Sequence, residues 1–435
     1  MEKISRDNRY MVVYALLGII YGILFAKQSS LLYLVFVALS ATIMLSRIEV
    51  SITIFLAIAP LDRLLVLPNG IFMVAYLMPV LMMKMLYELI IIRDQIYKKS
   101  MNIIIVFFVF IVYELSHFMF YPISSISRNI LYYSCMAVVV LFTVIRPKIN
   151  YPKLVRLMSL SILVGSVISL QTTTLLTLLA SEGSQARFSM LGEDINTFGV
   201  YLMIIIGANF ALFINRKDGK IIHLVSILLL TFFGLLGLSR GFIFNLAMVI
   251  FVSLVIIFEL SIKQFFRVLV LLLLGSIAWG RISQMTFVQD LFENYSKRFM
   301  ISDLSNGRVD IYMMYLRYMQ EHVSAFMYGL GINNYKEITQ IKHAVHNTPL
   351  EILLSEGIIG IILLLTLVVM IFNRTRLNTP KNTKLFLLPL LSLFIGSLTL
   401  SLFAITSVYY YVLFILVTLE YNHQNEENRL QQIQA

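Results

Sequence analysis

Apolar runs of roughly 17–24 residues recur along this chain, beginning at Tyr10. That length crosses about 30 Å of hydrocarbon at about 1.5 Å per residue. Hydrocarbon offers backbone amides and carbonyls no hydrogen-bond partner, so each run must satisfy its own backbone as a helix. Composition agrees: 59% of the 435 residues are hydrophobic, 13% are charged and the mean hydropathy is +0.86. A water-soluble domain carries about 25% charged residues. The expected fold class is all-α: a single polytopic integral membrane domain over residues 1–435, with no separate soluble domain.

Candidate spans are read at 10–26, 30–46, 48–61, 71–92, 102–120, 129–145, 154–180, 197–215, 221–238, 241–259, 265–283, 349–372, 385–404 and 407–420. The third is short and two connections are tight, so 12–14 transmembrane helices are expected. The first run is long for a signal peptide core and lacks a clear small-residue cleavage site, so it is expected to stay as a span. Placing the N-terminus in the cytoplasm collects most of the cations there, among them Arg93, Lys98, Lys99, Arg146, Lys148, Arg216, Lys217, Arg374 and Lys381. The short loops opposite hold only Lys27, Arg63, Arg128, Arg187 and Arg240. The positive-inside rule then sets the orientation, with both termini cytoplasmic, and accounts for the net charge of +11 without nucleic acid.

One connection is long. Residues 284–346 fall on the external side and are rich in Tyr, Phe and Met, which argues against disorder. Ile311, Met314, Tyr315 and Tyr318 lie at helical spacing, predicting a helix over about 309–321, with a turn at Gly329, Gly331, Asn333 and Asn334. The single Cys135 excludes an internal disulfide and a cysteine zinc cluster. No GxxxxGK[ST] loop and no dinucleotide fingerprint is present, which argues against ATP hydrolysis.

The external charges carry the chemistry. Arg187 stands just before a span, Arg240 in a narrow turn between two spans, and Arg308 and Arg317 on the predicted loop helix. Charge at a membrane boundary snorkels, pairs or serves a site. Several guanidinium groups converging on one pocket would suit a pyrophosphate, because each offers a fixed fork of donors and stays charged. His346 stands at the mouth of a span, followed by Asn347, Thr348 as candidate N-cap and Pro349 in the first turn. An imidazole there can accept a proton from a hydroxyl, or hydrogen-bond a phosphate. Glu351 is placed to orient the ring or to act as an interfacial cap, and Glu356, deeper, to pair with an external arginine. Asp194 and Asn196 are alternative caps for the span that follows them.

Four stretches, "RFSMLGEDINTFGVYL", "LSRGFIFN", "NGRVDIYMMYLRYM" with "YGLGINNY", and "HNTPLEILLSEGIIG", resemble the superfamily of O-antigen polymerases and O-antigen ligases of bacterial inner membranes. The likeness covers roughly residues 185–375, and the last stretch is its most specific part. The resemblance implies a GT-C-like fold with a large periplasmic loop, and metal-independent, inverting glycosyl transfer on the periplasmic face without a cofactor. It implies an undecaprenyl-pyrophosphate-linked oligosaccharide as donor. Membrane lipids, a chain-length regulator and a flippase are the implied partners. By resemblance Arg187, Arg240 and Arg308 hold phosphates, and His346 engages the acceptor hydroxyl or a phosphate. A polymerase is the first expectation, and a ligase that transfers polysaccharide to the lipid A core is the alternative. A lipid-linked oligosaccharide flippase would also have this many spans. It would show repeat symmetry and ionisable residues at mid-membrane, whereas Lys84 is the only basic residue well inside a span.

Overall fold

The computed structural model describes residues 31–67, 72–91, 98–121, 126–172, 188–190, 194–215, 219–260, 307–375 (apart from 333 and 342) and 381–434, with only scattered positions between 261 and 306. The expected spans 10–26 and 265–283, the first part of the long loop and Arg187 lie outside the described residues or nearly so.

Among the described residues the chain is helical, without strands. The helices are α1 (Leu31–Leu45), α2 (Ile48–Ile58), α3 (Met73–Ile91), α4 (Lys98–Phe120), α5 (Ile126–Ile145), α6 (Tyr151–Thr172), α7 (Ile195–Asn215), α8 (Lys220–Leu236) and α9 (Arg240–Leu260). They continue with α10 (Arg308–Glu321), α11 (Val323–Tyr328), α12 (Tyr335–Thr339), α13 (Thr348–Thr375), α14 (Leu388–Ser397) and α15 (Thr406–Gln434). Seven described helices are long and apolar enough to cross a membrane: Met73–Ile91, Ser100–Phe120, Ile126–Ile145, Tyr151–Leu170, Ile195–Asn215, Arg240–Glu259 and Thr348–Arg374. Shorter apolar helices cover Leu32–Leu45, Ile48–Leu61, Lys220–Leu236 and Lys384–Ser397. The protein is therefore a polytopic, all-α membrane protein. Large side chains such as Phe108, Met119, Ile221, Phe251 and Ile362 stay exposed on the outside of the bundle. In water they would form an apolar surface in need of a partner; against lipid they need none.

Helix α7 is the hub, packed on α6, α8, α9, α14 and α15. Two glycines permit this. Gly207 abuts the Leu388 and Pro389 backbone at the start of α14, at 3.2 Å from where a Cβ would stand, and Gly199 abuts Phe242 of α9. On another side Tyr201 stacks on Tyr411 at 4.0 Å between centroids, and its hydroxyl lies 2.8 Å from Ser407 Oγ.

The described part of the segment before α13, from residue 307, is folded and packed on α13. The helix expected at 309–321 is present as α10, one residue longer at its start. Tyr315, Met319, Ala325, Leu330, Tyr335 and Val345 form a small core with Leu354 of α13. The turn expected at Gly329 and Gly331 is present, both residues having positive φ (76° and 77°).

Two spans are not the continuous helices expected. Helix α13 breaks at Gly357 (φ 59°, ψ −172°). A break frees carbonyls of the preceding turn, which lipid cannot satisfy. Here the loop does so: Leu330 N–H donates to Leu354 O and Gly331 N–H to Ser355 O, both at 2.9 Å, and Tyr113 Oη lies 2.6 Å from Glu356 O. The run read as a span over 385–404 is helical only to Ser397, and helix resumes at Thr406. Side chains from the start of α13 and from α10 take up the polar backbone of the unwound stretch, as described next.

Candidate functional site

Three long helices each begin with a side-chain cap. Asp194 Oδ1 accepts from the Asn196 and Thr197 amides, both at 3.0 Å, and starts α7. Ser239 Oγ accepts from the Phe242 amide and starts α9, directly before Arg240. Asn347 Oδ1 accepts from the Leu350 amide at 2.9 Å and starts α13. A polar oxygen at the N-cap satisfies an amide that the helix itself leaves free. Asp194 is thus the cap of α7. Asn196 instead accepts from Ser239 Oγ at 2.9 Å, which ties the starts of α7 and α9 together.

Thr348 is not the cap that the sequence suggested. Its hydroxyl is needed elsewhere: it donates to Leu400 O at 2.6 Å and accepts from the Leu402 amide at 3.0 Å. The same unwound stretch is held by Asn347 Nδ2 on Leu398 O (3.1 Å), Arg308 Nη1 on Thr399 O (3.0 Å) and Glu351 Oε2 on the Phe403 amide (2.9 Å). Glu351 is 2% exposed and makes no hydrogen bond to the His346 ring. Its carboxylate serves the backbone after α14. Glu356 does not reach an external arginine either, because it is fully buried inside the bundle.

His346 itself is half-buried, one residue ahead of the Asn347 cap. Its backbone is left-handed (φ 48°), a conformation uncommon for a side-chain-bearing residue. Tyr312 of α10 donates its hydroxyl to His346 O at 3.1 Å. The strained residue is therefore fixed between the α10 helix and the start of α13, and the ring stays free of protein hydrogen bonds. Burial pushes the imidazole below its ordinary value, helped by the positive charges of Arg308, Lys336 and His343, while Asp194 opposes them. A site where persistent strain and a perturbed imidazole coincide is a candidate for function.

The sequence-predicted residues separate accordingly. Arg308, half-buried at the first turn of α10, stands in the electrostatic surroundings of His346. Arg240, half-buried, opens α9, whose start is tied through Ser239 and Asn196 to the helix that Asp194 caps. Arg317 is exposed, nine residues beyond Arg308 on α10. At about 100° per residue that places it on the opposite face, so the structure does not bring it to His346. Sequence reasoning gave the cap to Thr348 rather than to its neighbour Asn347, and gave Lys336 and His343 no role. Asn347 was legible as a capping residue directly before Thr-Pro. Lys336 and His343 come close only through the fold of the loop.

No family model and no curated protein matches the chain.

Proposed function

We propose that the protein is a multi-pass glycosyltransferase of a bacterial inner membrane, an O-antigen polymerase. It joins undecaprenyl-pyrophosphate-linked oligosaccharide units on the periplasmic face by inverting transfer. The observation that carries this reading is the placement of His346. Its neutral, unbonded imidazole stands at the mouth of α13, with Arg308 the cation that acts on it most strongly. The acceptor hydroxyl attacks the anomeric carbon as the pyrophosphate departs. His346 takes the hydroxyl proton, and Arg308 and Arg240, with the helix N-termini beside them, stabilise the charge growing on the leaving group. Because the lipid anchor keeps the pyrophosphate at the interface, the reaction must occur at this depth.

In this reading the count of spans is 12–14, the segment before α13 is periplasmic and both termini are cytoplasmic. Glu337 is exposed on α12. Glu337→Cys is expected to react with a membrane-impermeant thiol reagent in intact spheroplasts. Labelling only after lysis would invert the topology and remove the proposed site from its substrate.

The arginine assignment is tested with purified lipid-linked repeat units. Arg308→Ala is expected to lower turnover by about 10²–10³-fold, the usual loss when one preorganised donor is removed. Arg308→Lys should recover little, since an ammonium is a point charge and not a fork. A lysine variant with full activity would reduce Arg308 to a generic cation. Loss of the gene should leave single repeat units on the lipid A core. A bare core with accumulated lipid-linked polymer would make the protein a ligase, and single units stranded in the cytoplasm would make it a flippase.

A further inference from the structure

Glu356, in the last turn before the α13 break, is 0% exposed, and Glu114 of α4 is 1% exposed. The Glu356 carboxyl turns toward α4, its Oε2 and the Tyr113 ring both standing against Gly360, and the two carboxyls act directly on each other. Among the described residues no N–H or O–H donor reaches either oxygen of Glu356. Glu114 receives one donor, the Tyr133 hydroxyl at 3.1 Å on Oε2, and its Oε1 has none. The titratable groups around the pair are Tyr113 and His117 of α4, Tyr132 and Tyr133 of α5 and Tyr409 of α15. No lysine or arginine is among the groups that act on Glu356. Two adjacent carboxylates cannot both stay ionised in a low-dielectric interior without a cation. Two carboxyl groups that lack other donors can hydrogen-bond only if a proton lies between them.

We propose that Glu114 and Glu356 form a shared-proton site inside the bundle, and that this site positions the external half of α13. The geometry shows what the pair controls. Glu356 ends the short helix that begins at Thr348, two residues after His346. From α4, Tyr113 Oη lies 2.6 Å from both Glu356 O and Tyr328 O, and His117 Nε2 lies 2.6 Å from Tyr328 O. The α4 face bearing Glu114 thus holds the α13 break and the loop turn that covers it. Gly360 allows this approach, since a Cβ there would stand 2.8 Å from Tyr113 Cε1 and 2.6 Å from Glu356 Cβ. By the 1.5 Å rise, the pair lies about 10 Å below the external end of α4, away from His346 and from any substrate contact. Glu114 and Glu356 are therefore positioning residues, and their effect on turnover rests on the proposed function.

The proton is read by difference infrared spectroscopy on the full-length protein in lipid at neutral pH. Wild type minus Glu356→Gln should show the stretch of a protonated carboxyl, and so should wild type minus Glu114→Gln. The absence of that band from both differences would overturn the proposal. Glutamine supplies a permanent N–H donor to the remaining carboxylate, so Glu356→Gln should keep the fold and turnover within about threefold, the residual scatter of a satisfied polar pair. Glu356→Leu removes donor and acceptor and leaves Glu114 half-satisfied. Its Leu330 and Gly331 amides should exchange with deuterium at least tenfold faster, with kcat lowered more than KM. Unchanged exchange in Glu356→Leu would overturn the positioning role. The exchange and infrared measurements do not use the enzymatic reaction. If both come out as expected while no variant or wild type forms polymer, the pair stands and the proposed function fails.

Discussion

His346→Ala is expected to lower polymer formation by about 10²–10⁴-fold at normal membrane levels, the usual contribution of a general base. The backbone at His346 is left-handed (φ 48°), so an effect of strain must be separated from an effect of the ring. Asparagine accepts left-handed backbone well, and His346→Asn therefore keeps the turn but removes the base. It should be as inactive as the alanine variant. His346→Gln, which hydrogen-bonds but does not take a proton, should not restore activity. The pH profile supplies the sign. Burial and Arg308 hold the imidazole below its usual value, so the neutral, proton-accepting form persists at neutral pH. The rate falls only as pH drops through that lowered value. Lys336→Ala removes one of the charges that lower it, so the acid limb should move to higher pH. Near-normal turnover of His346→Gln, with no acid limb, would leave the histidine a hydrogen-bond partner only and assign proton removal to another group.

The fold class was readable because hydrocarbon forces a simple pattern: a long apolar run is a helix, and cations gather on one side. Apart from 349–372, which breaks at Gly357, and 385–404, which unwinds after Ser397, the expected spans that fall within the described residues are matched by helices. What the pattern hides is where helices break inside the apolar runs. Gly357 follows Ser355 and Glu356, but a polar pair before a glycine does not by itself break a helix, and Gly360, three residues on, stays helical. The partner of Gly357 is Gly329, on a loop 28 residues earlier, so the signal is tertiary. The unwound stretch after α14 left a faint local trace in Gly396, Ser397, Thr399 and Ser401. At the candidate site, charge at the boundary pointed to Arg240, Arg308 and His346, but the role expected of Glu351 followed helical spacing alone. The Phe403 amide, from a stretch some 50 residues later, takes that carboxylate instead. Attention to external cations also passed over Glu114 and gave Glu356 an arginine partner it does not have, since a carboxyl inside an apolar run gives no sign of its neighbour on another helix.

Gly357→Ala is expected to abolish the stable folded protein, whereas Gly307→Ala should cost only about 1–2 kcal/mol. Both glycines have positive φ, 59° and 73°. They differ in what a methyl group would meet. At Gly307, in the turn before α10, nothing stands within 4 Å of the added carbon, so the cost is the left-handed backbone alone. At Gly357 the ψ of −172° places the residue in a region used essentially by glycine only, worth on the order of 1–3 kcal/mol. The added carbon would also overlap the Gly329 amide nitrogen and the Met327 carbonyl. Neither can yield, being backbone of the turn that satisfies Leu354 O and Ser355 O. Displacing that turn leaves these carbonyls unpaired below the membrane surface, at several kcal/mol each. Straightening α13 would satisfy them again, but would swing the half-helix behind His346 away from the Leu398–Phe403 stretch that Asn347, Thr348 and Glu351 hold. The measurement is thermal unfolding of detergent-purified protein, followed by size-exclusion profile and helicity. If Gly357→Ala melts within a few degrees of Gly307→Ala, the helix runs straight through residue 357, and the docking of the loop on α13 is not what holds His346 in place.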